Sequence, residues 1–285
     1  MDFMRLAIMH RSLSSLIAIA AAAPALALST PAQAGVGDLL VAPTRIVLDG
    51  RKGAEVILNN IGEEPATYRI SIEFRRMTED GSLVDVTDPT AEDKTAEDMI
   101  VYAPRRVTLV PHQPQSIRIA ARAPQGLPDG EYRVHMLFRA IPPANPVVPA
   151  SVSTGDTPHG LHFQLIPVYG VTIPVIVRLG NLEAKAAIAN VRLDKSSGKP
   201  VVDLDLSRSG TRSTFGEVRI LKPGIKNPIA IQRAVAVYKE IGVRHLSVPV
   251  DESFQGDPAG PVTVQYVETF DDGSHVLAQT DAVLR

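Results

Sequence analysis

The sequence predicts an all-β chain built as two β-sandwiches in tandem. Three observations lead there: apolar residues recur with period two, short candidate strands follow one another at close spacing, and turn-forming pairs punctuate them. High proline (23 residues), together with a 5% aromatic content, leans the same way, towards strands and turns rather than helices.

In the first half, Tyr68, Ile70, Ile72 and Phe74 alternate with Thr67, Arg69, Ser71, Glu73 and Arg75. Ile117, Ile119 and Ala121 alternate with Ser116, Arg118, Ala120 and Arg122, and Tyr132, Val134, Met136 and Phe138 with Glu131, Arg133, His135 and Arg139. Alternation sends successive side chains to opposite faces, so each run predicts a half-buried antiparallel strand. Candidate strands at 39–48, 54–59, 107–110 and 161–177 bring the first half to about seven. Asp49-Gly50, Asp80-Gly81 and Pro128-Asp129-Gly130 carry turn chemistry between them. Residues 87–99 are acidic and unpatterned, and predict a loop or a short helix. The second half repeats the theme at 186–193, 201–206, 217–221, 229–238, 243–250, 262–269 and 276–284, with turns at Ser197-Gly198 and Asp272-Gly273. The joint is expected near Gly180–Asn181, giving a first sandwich over 35–180 and a second over 181–285.

Residues 1–34 read as a signal peptide. Arg5, His10 and Arg11 make a basic start, and an apolar stretch over 13–28 follows, broken by Ser14, Ser15 and Pro24. Ala32-Gln33-Ala34 supplies the small-x-small cleavage signal, so cleavage is expected after Ala34. A membrane span needs about 20 apolar residues, and this uninterrupted core is short for one. No later stretch is long or apolar enough to span a bilayer, so the mature chain is expected to be secreted and soluble, with no membrane insertion.

Composition excludes several functions. The chain has 285 residues, 45% hydrophobic and 21% charged, outside the range of disordered or membrane-spanning proteins. A net charge of −2 argues against nucleic acid as a partner, because neutralising phosphates needs a basic surplus. Without cysteine there are no disulfides, thiol nucleophiles or thiolate metal sites. G-x-S-x-G, phosphate-cradling and H-E-x-x-H motifs are missing from the sequence. The nearest thing to a ligand pair is His159-x-x-His162, and on a strand residues three apart point to opposite faces. Asp203 and Asp205 read as the exposed face of a strand that buries Val202, Leu204 and Leu206. The chain is therefore expected to be no enzyme and to need no cofactor and no metal.

Three features exceed the background of a generic sandwich. Arg45 stands amid Leu39, Leu40, Val41, Ile46, Val47 and Leu48; it is either a surface charge or a fixed guanidinium suited to capture a carboxylate. Leu161, Phe163 and Leu165 share one face of an extended run after a proline-rich loop. They either complete their own sandwich or lend large side chains to another protein's core, a gross gain of roughly 5–8 kcal/mol. A strand over 161–177 would also far exceed the usual 5–6 residues, and a long apolar edge is an aggregation hazard unless it has a partner.

These residues resemble a known family, the PapD-like periplasmic pilus-assembly chaperones of the chaperone–usher pathway. Pro43-Thr44-Arg45-Ile46-Val47-Leu48-Asp49-Gly50 is similar to the family's first strand. Pro104-Arg105-Arg106-Val107-Thr108-Leu109-Val110-Pro111 with Gln115-Ser116-Ile117-Arg118-Ile119 is similar to its middle segment. Leu127-Pro128-Asp129-Gly130-Glu131-Tyr132 and Arg139-Ala140-Ile141-Pro142-Pro143 resemble the strand and turn before its donor strand. The resemblance covers roughly 38–178; the second half matches only in size and strand count. It implies two immunoglobulin-like domains with a subunit-binding cleft between them, and donor-strand complementation of pilus or fibre subunits delivered to an outer-membrane usher-like platform. It also implies that Arg45 anchors a subunit's terminal carboxylate. The family's partner lysine has no counterpart, and Thr172 holds its place. Two other readings stay open. A structural subunit of a surface appendage would need an extra N-terminal strand, and Gly35-Val36-Gly37-Asp38 is short for that. An extracytoplasmic binding module for glycan or peptide would need aromatic platforms, from a chain with no Trp, 7 Phe and 6 Tyr.

Overall fold

The computed structural model describes residues 38–142, 168–196, 198–270 and 273–285. The expected signal peptide, the His159/His162 pair and Leu161, Phe163 and Leu165 lie outside these residues. In chain order the first half forms β1 (Leu39–Ala42), β2 (Ile46–Leu48), β3 (Ala54–Asn60), β4 (Ala66–Glu73), β5 (Arg75–Met77), β6 (Leu83–Asp85) and α1 (Ala91–Met99). It continues with β7 (Ile100–Ala103), β8 (Arg106–Leu109), β9 (Pro114–Ala121), β10 (Gly130–Ile141) and β11 (Gly170–Leu179).

Two sheets enclose the first core. One has strand order β1-β3-β9-β7 and the other β2-β11-β10-β4-β8. Val41, Leu58, Ile117 and Ile119 from the first meet Tyr68, Ile70, Phe138 and Val175 from the second. The alternation read in the sequence therefore sorts the core correctly. The single strand expected over 39–48 is in fact two, one in each sheet: β1 runs antiparallel to β3, and β2 runs parallel to β11. Pro43 lies at the break, where it has no N–H to continue a ladder. Residues 87–99 do hold a helix. Thr90 and Asp93 form a reciprocal capping box, the Thr90 hydroxyl accepting from the Asp93 amide at 3.2 Å and Asp93 Oδ2 from the Thr90 amide at 2.8 Å.

The second half forms β12 (Ala184–Asp194), β13 (Val201–Gly210), β14 (Thr214–Leu221), β15 (Ala230–Val237), β16 (Val243–Pro249), β17 (Gly260–Phe270) and β18 (Gly273–Leu284). Its sheets run β12-β13-β16 and β15-β14-β17-β18 around Leu204, Leu206, Val218, Ile220, Val264 and Tyr266. The chain is all-β with two sandwiches, as its periodicity predicts. Gly180, at φ 78, turns the chain between them, and a Cβ there would collide with Asp129.

One element has no precedent in the sequence reading. The β5–β6 hairpin leaves the first sandwich and is fastened to the second, with Met77 buried in the second core and Leu83 packed against it. The Met77 amide donates to Glu240 Oε1 at 2.8 Å, and the His245 amide to the Glu79 carbonyl at 2.6 Å. Gly81, at φ 86, lets the hairpin tip lie directly on the Arg244 guanidinium, which would have to shift to admit a Cβ. Ile176 of β11 is also buried in the second core, so the two sandwiches share apolar residues as well as polar contacts.

Candidate functional site

The candidate site lies on the outer face of the β2-β11-β10-β4-β8 sheet. Along β10 the even residues from Tyr132 to Ala140 fill the first core, so Glu131, Arg133, His135, Leu137 and Arg139 point away from it. On β11 the core takes Ile173, Val175 and Val177, and Thr172, Pro174, Ile176 and Arg178 point outward. The second sandwich covers one end of this face: Glu131, His135 and Ile176 are buried. The other end, with Arg139, is exposed.

β11 is paired unequally on its two sides. It meets β10 along its whole length, from Gly170 opposite Arg139 to Leu179 opposite Gly130, and the Ala140 amide extends the ladder to the Tyr169 carbonyl at 2.9 Å. Its other neighbour, β2, pairs only with Val175–Val177. Among the described residues, the β2-side edge of Gly170–Pro174 is therefore open. Val168 and Tyr169, just upstream, are 40% and 55% exposed.

Arg45 immediately precedes β2, beside this edge. It is wedged between the sandwiches, with Nη2 reaching Ser213 Oγ at 3.4 Å and its carbon 4.7 Å from the Phe215 ring centroid and 5.8 Å from that of Tyr238. Burial pulls its pKa down; the Tyr238 hydroxyl opposes this, and Arg178 adds to it. Its Nη1 is buried without a hydrogen-bond partner. A guanidinium with a spare donor in a partly desolvated position is chemically fitted to a carboxylate.

Thr172 follows a different pattern. Its hydroxyl donates to Glu73 Oε1 at 2.8 Å, the same oxygen that accepts from Arg75 Nε at 2.8 Å. The Thr172 hydroxyl is thus bound to this chain's own carboxylate.

Two polar clusters at the joint were not singled out from sequence. Glu131, its side chain fully buried, accepts from the Ser213 amide at 3.0 and 3.1 Å, from the Ser213 hydroxyl at 2.8 Å and from Arg178 Nε at 2.9 Å. Arg133 forms a two-pronged pair with Glu240 at 2.5 and 3.1 Å and stacks 3.7 Å above the Tyr238 ring centroid. Both clusters use the polar face of an alternating strand. Alternation identifies that face but does not reveal that another domain covers it. Among the described residues no group of three or more His, Asp or Glu is placed to hold a metal, and no helix is long and apolar enough to cross a membrane.

The geometry comprises two β-sandwiches with Arg45 where they meet and, among the described residues, an open strand edge on β11. No family model matches the chain, and no curated protein matches it either. Solved structures do. The YadV chaperone is similar at 15% identity, over 87% of this chain and 100% of that one, with a TM-score of 0.44. The class 5 fimbriae chaperone CfaA is similar at 12% identity, over 87% and 99%, with a TM-score of 0.42. The Pseudomonas aeruginosa CupB2 chaperone is similar at 14% identity, over 86% and 100%, also at 0.42.

Proposed function

We propose that this chain is an exported, non-enzymatic assembly chaperone of the periplasm, with residues 35–180 as its working sandwich and 181–285 as the supporting one. It would cap secreted pilus or fibre subunits by donor-strand complementation, and pass them to an outer-membrane usher-like platform. The observation that supports this reading is the open edge of Gly170–Pro174 beside Arg45. An exposed strand edge offers its backbone N–H and C=O groups to a visiting strand, and alternate side chains fill the visitor's core. In this reading Leu161, Phe163 and Leu165, upstream on the same run, supply those side chains. Arg45 takes the subunit's terminal carboxylate on its guanidinium, and Thr172 lines the same groove. Release by exchange with another subunit's strand needs no nucleotide.

The test is co-expression of the candidate subunit with the Leu161→Glu/Phe163→Glu double variant. Placing two carboxylates in an apolar core removes most of the gain from those side chains, so recovery of the complex is expected to fall to background while the chaperone's own melting is unchanged. Undiminished recovery of the complex would overturn the donor-strand reading.

A further inference from the structure

The outer face of the same sheet carries a second feature, at the end away from the second sandwich. Arg139 of β10 is the direct cross-strand partner of Arg69 of β4, and Arg69 is the direct partner of Arg106 of β8. Three arginines thus stand in one row across three adjacent strands, on rungs about 4.8 Å apart. All three are exposed. Like charges directly opposite on a sheet destabilise it. Among the described residues no carboxylate relieves them: none of the three is in an ion pair within 4 Å or a side-chain hydrogen bond. Glu97 and Asp98 line a cavity of ≈ 700 Å³ together with Arg69 and the neighbouring Arg105, and Glu97 is held by Lys94 at 3.1 Å.

Outside the described residues the sequence holds few acidic residues: Asp156 within 143–167, the pair Asp271 and Asp272, and Asp2 within 1–37 against Arg5 and Arg11. A second copy is poorly equipped too, since the carboxylates of its acidic helix are largely committed: Asp93 to Arg76, Glu92 to Lys239 and Glu97 to Lys94. The chain's net charge of −2 disfavours an anionic membrane or a nucleic acid, both of which attract proteins through a basic surplus. A flat sheet face also gives a small free anion no enclosure. A row of planar, two-pronged donors at strand spacing instead suits side-chain carboxylates repeated along a polypeptide. The next rung supports this, with the exposed hydroxyls of Thr67 and Thr108 paired at 2.9 Å.

We propose that the Arg139–Arg69–Arg106 row is a docking surface for an acidic segment of a partner protein, laid across β10, β4 and β8. The row lies on the sheet face and adjoins the open edge of β11 only at Gly170, opposite Arg139, and the proposal does not depend on the chaperone reading. It makes the repulsion within the row the driving force for recruitment: the partner neutralises charges that the fold itself leaves opposed.

The probe is a fluorescein-labelled peptide of alternating Glu and Ser, titrated by fluorescence polarisation at low and at physiological salt. The full chain is expected to bind it, with affinity falling as salt rises. The Arg69→Gln/Arg106→Gln/Arg139→Gln variant is expected to lose at least about tenfold in affinity, since each lost charge-assisted contact weakens binding. It should melt no lower than the parent, because the row opposes folding. A control variant at exposed cations elsewhere, Arg51→Gln/Arg122→Gln/Lys226→Gln, should bind like the parent. Equal binding by the row variant and the parent would overturn the proposal, as would equal losses in both variants. So would binding to phosphatidylglycerol vesicles or inorganic phosphate in preference to the peptide, or a parent dimer in sedimentation that the row variant abolishes.

Discussion

Glu131→Ala is expected to destabilise the chain by about 3–5 kcal/mol, the cost of breaking a buried ion pair by removing one partner. The Glu131 carboxylate is fully buried, yet four hydrogen bonds from two residues converge on it. Alanine leaves Arg178 without its anion and the buried Ser213 amide and hydroxyl without their acceptor. Arg178 would keep only its contact with the Ser213 carbonyl at 3.0 Å and a long one to its hydroxyl. Glu131→Gln keeps one acceptor oxygen and should cost less, about 1–3 kcal/mol. Because Glu131 belongs to β10 and Ser213 immediately precedes β14, the damage falls on the joint. Urea unfolding measures the total, and amide hydrogen exchange at 210–216 should accelerate in the alanine variant before global unfolding. An alanine variant that unfolds at the parental urea concentration would refute this account of the joint.

The same cluster shows where sequence reasoning stops. Period-two alternation told which residues of β10 face the first core, and every even residue from Tyr132 to Ala140 does so. It assigned Glu131, Arg133 and His135 to solvent by default. Two of them are buried and the third is stacked on Tyr238, because a partner distant in sequence covers that end of the sheet. Periodicity is a property of one strand, and coverage by a second sandwich is not. The break between β1 and β2 was hidden for a related reason: both pieces are apolar, and only Pro43 hinted that the ladder changes sheets. Three-residue strands carry too little alternation for the sequence to predict the β5–β6 hairpin, although Asp80-Gly81 predicts the turn at its tip. Arg45 was legible as an anomaly, a charge in an apolar strand. Its contacts with Ser213, Phe215 and Tyr238 were not, since all three lie beyond residue 200.

Coverage also explains why one sheet face can serve two purposes. Near the second sandwich, Ile176 and His135 are buried and the polar groups pair across the joint. At the far end Gly170, Arg139 and Arg69 are exposed, and among the described residues β11 has no neighbour on its β2 side along Gly170–Pro174. An uncovered edge invites non-specific pairing. The short stretch of β2, only Ile46–Leu48, is what leaves it open, and the change of sheets at Pro43 is what keeps β2 short. A sequence feature that looks like a minor irregularity thus sets how far β2 pairs along β11.

Stability is expected to fall on mild acidification through one residue, His135. It is 1% exposed, its ring meets Tyr238 edge-on at 6.4 Å, and neither ring nitrogen has a hydrogen-bond partner. Burial pushes its pKa down to about 3, with Arg133 and Arg75 adding to the effect and Glu240 opposing it. Glu73, directly across on β4, commits its carboxylate to Thr172 and Arg75. The unfolded chain protonates this histidine near pH 6.5, so between about 6.5 and 3 the unfolded state binds the extra proton and stability declines as pH falls. Above that window the histidine is neutral in both states and contributes no slope. The linkage relation gives about 1.4 kcal/mol per pH unit, or about 2 kcal/mol between pH 6.5 and 5. His135→Phe removes the proton site while keeping a ring against Tyr238. Urea unfolding of both proteins from pH 7.5 to 4.5 isolates the term, because the carboxylates common to both cancel in the difference. The parent should lose about 2 kcal/mol more than the variant by pH 5; parallel curves would mean that the ring is solvated or paired when protonated, and that the joint is not sealed around it.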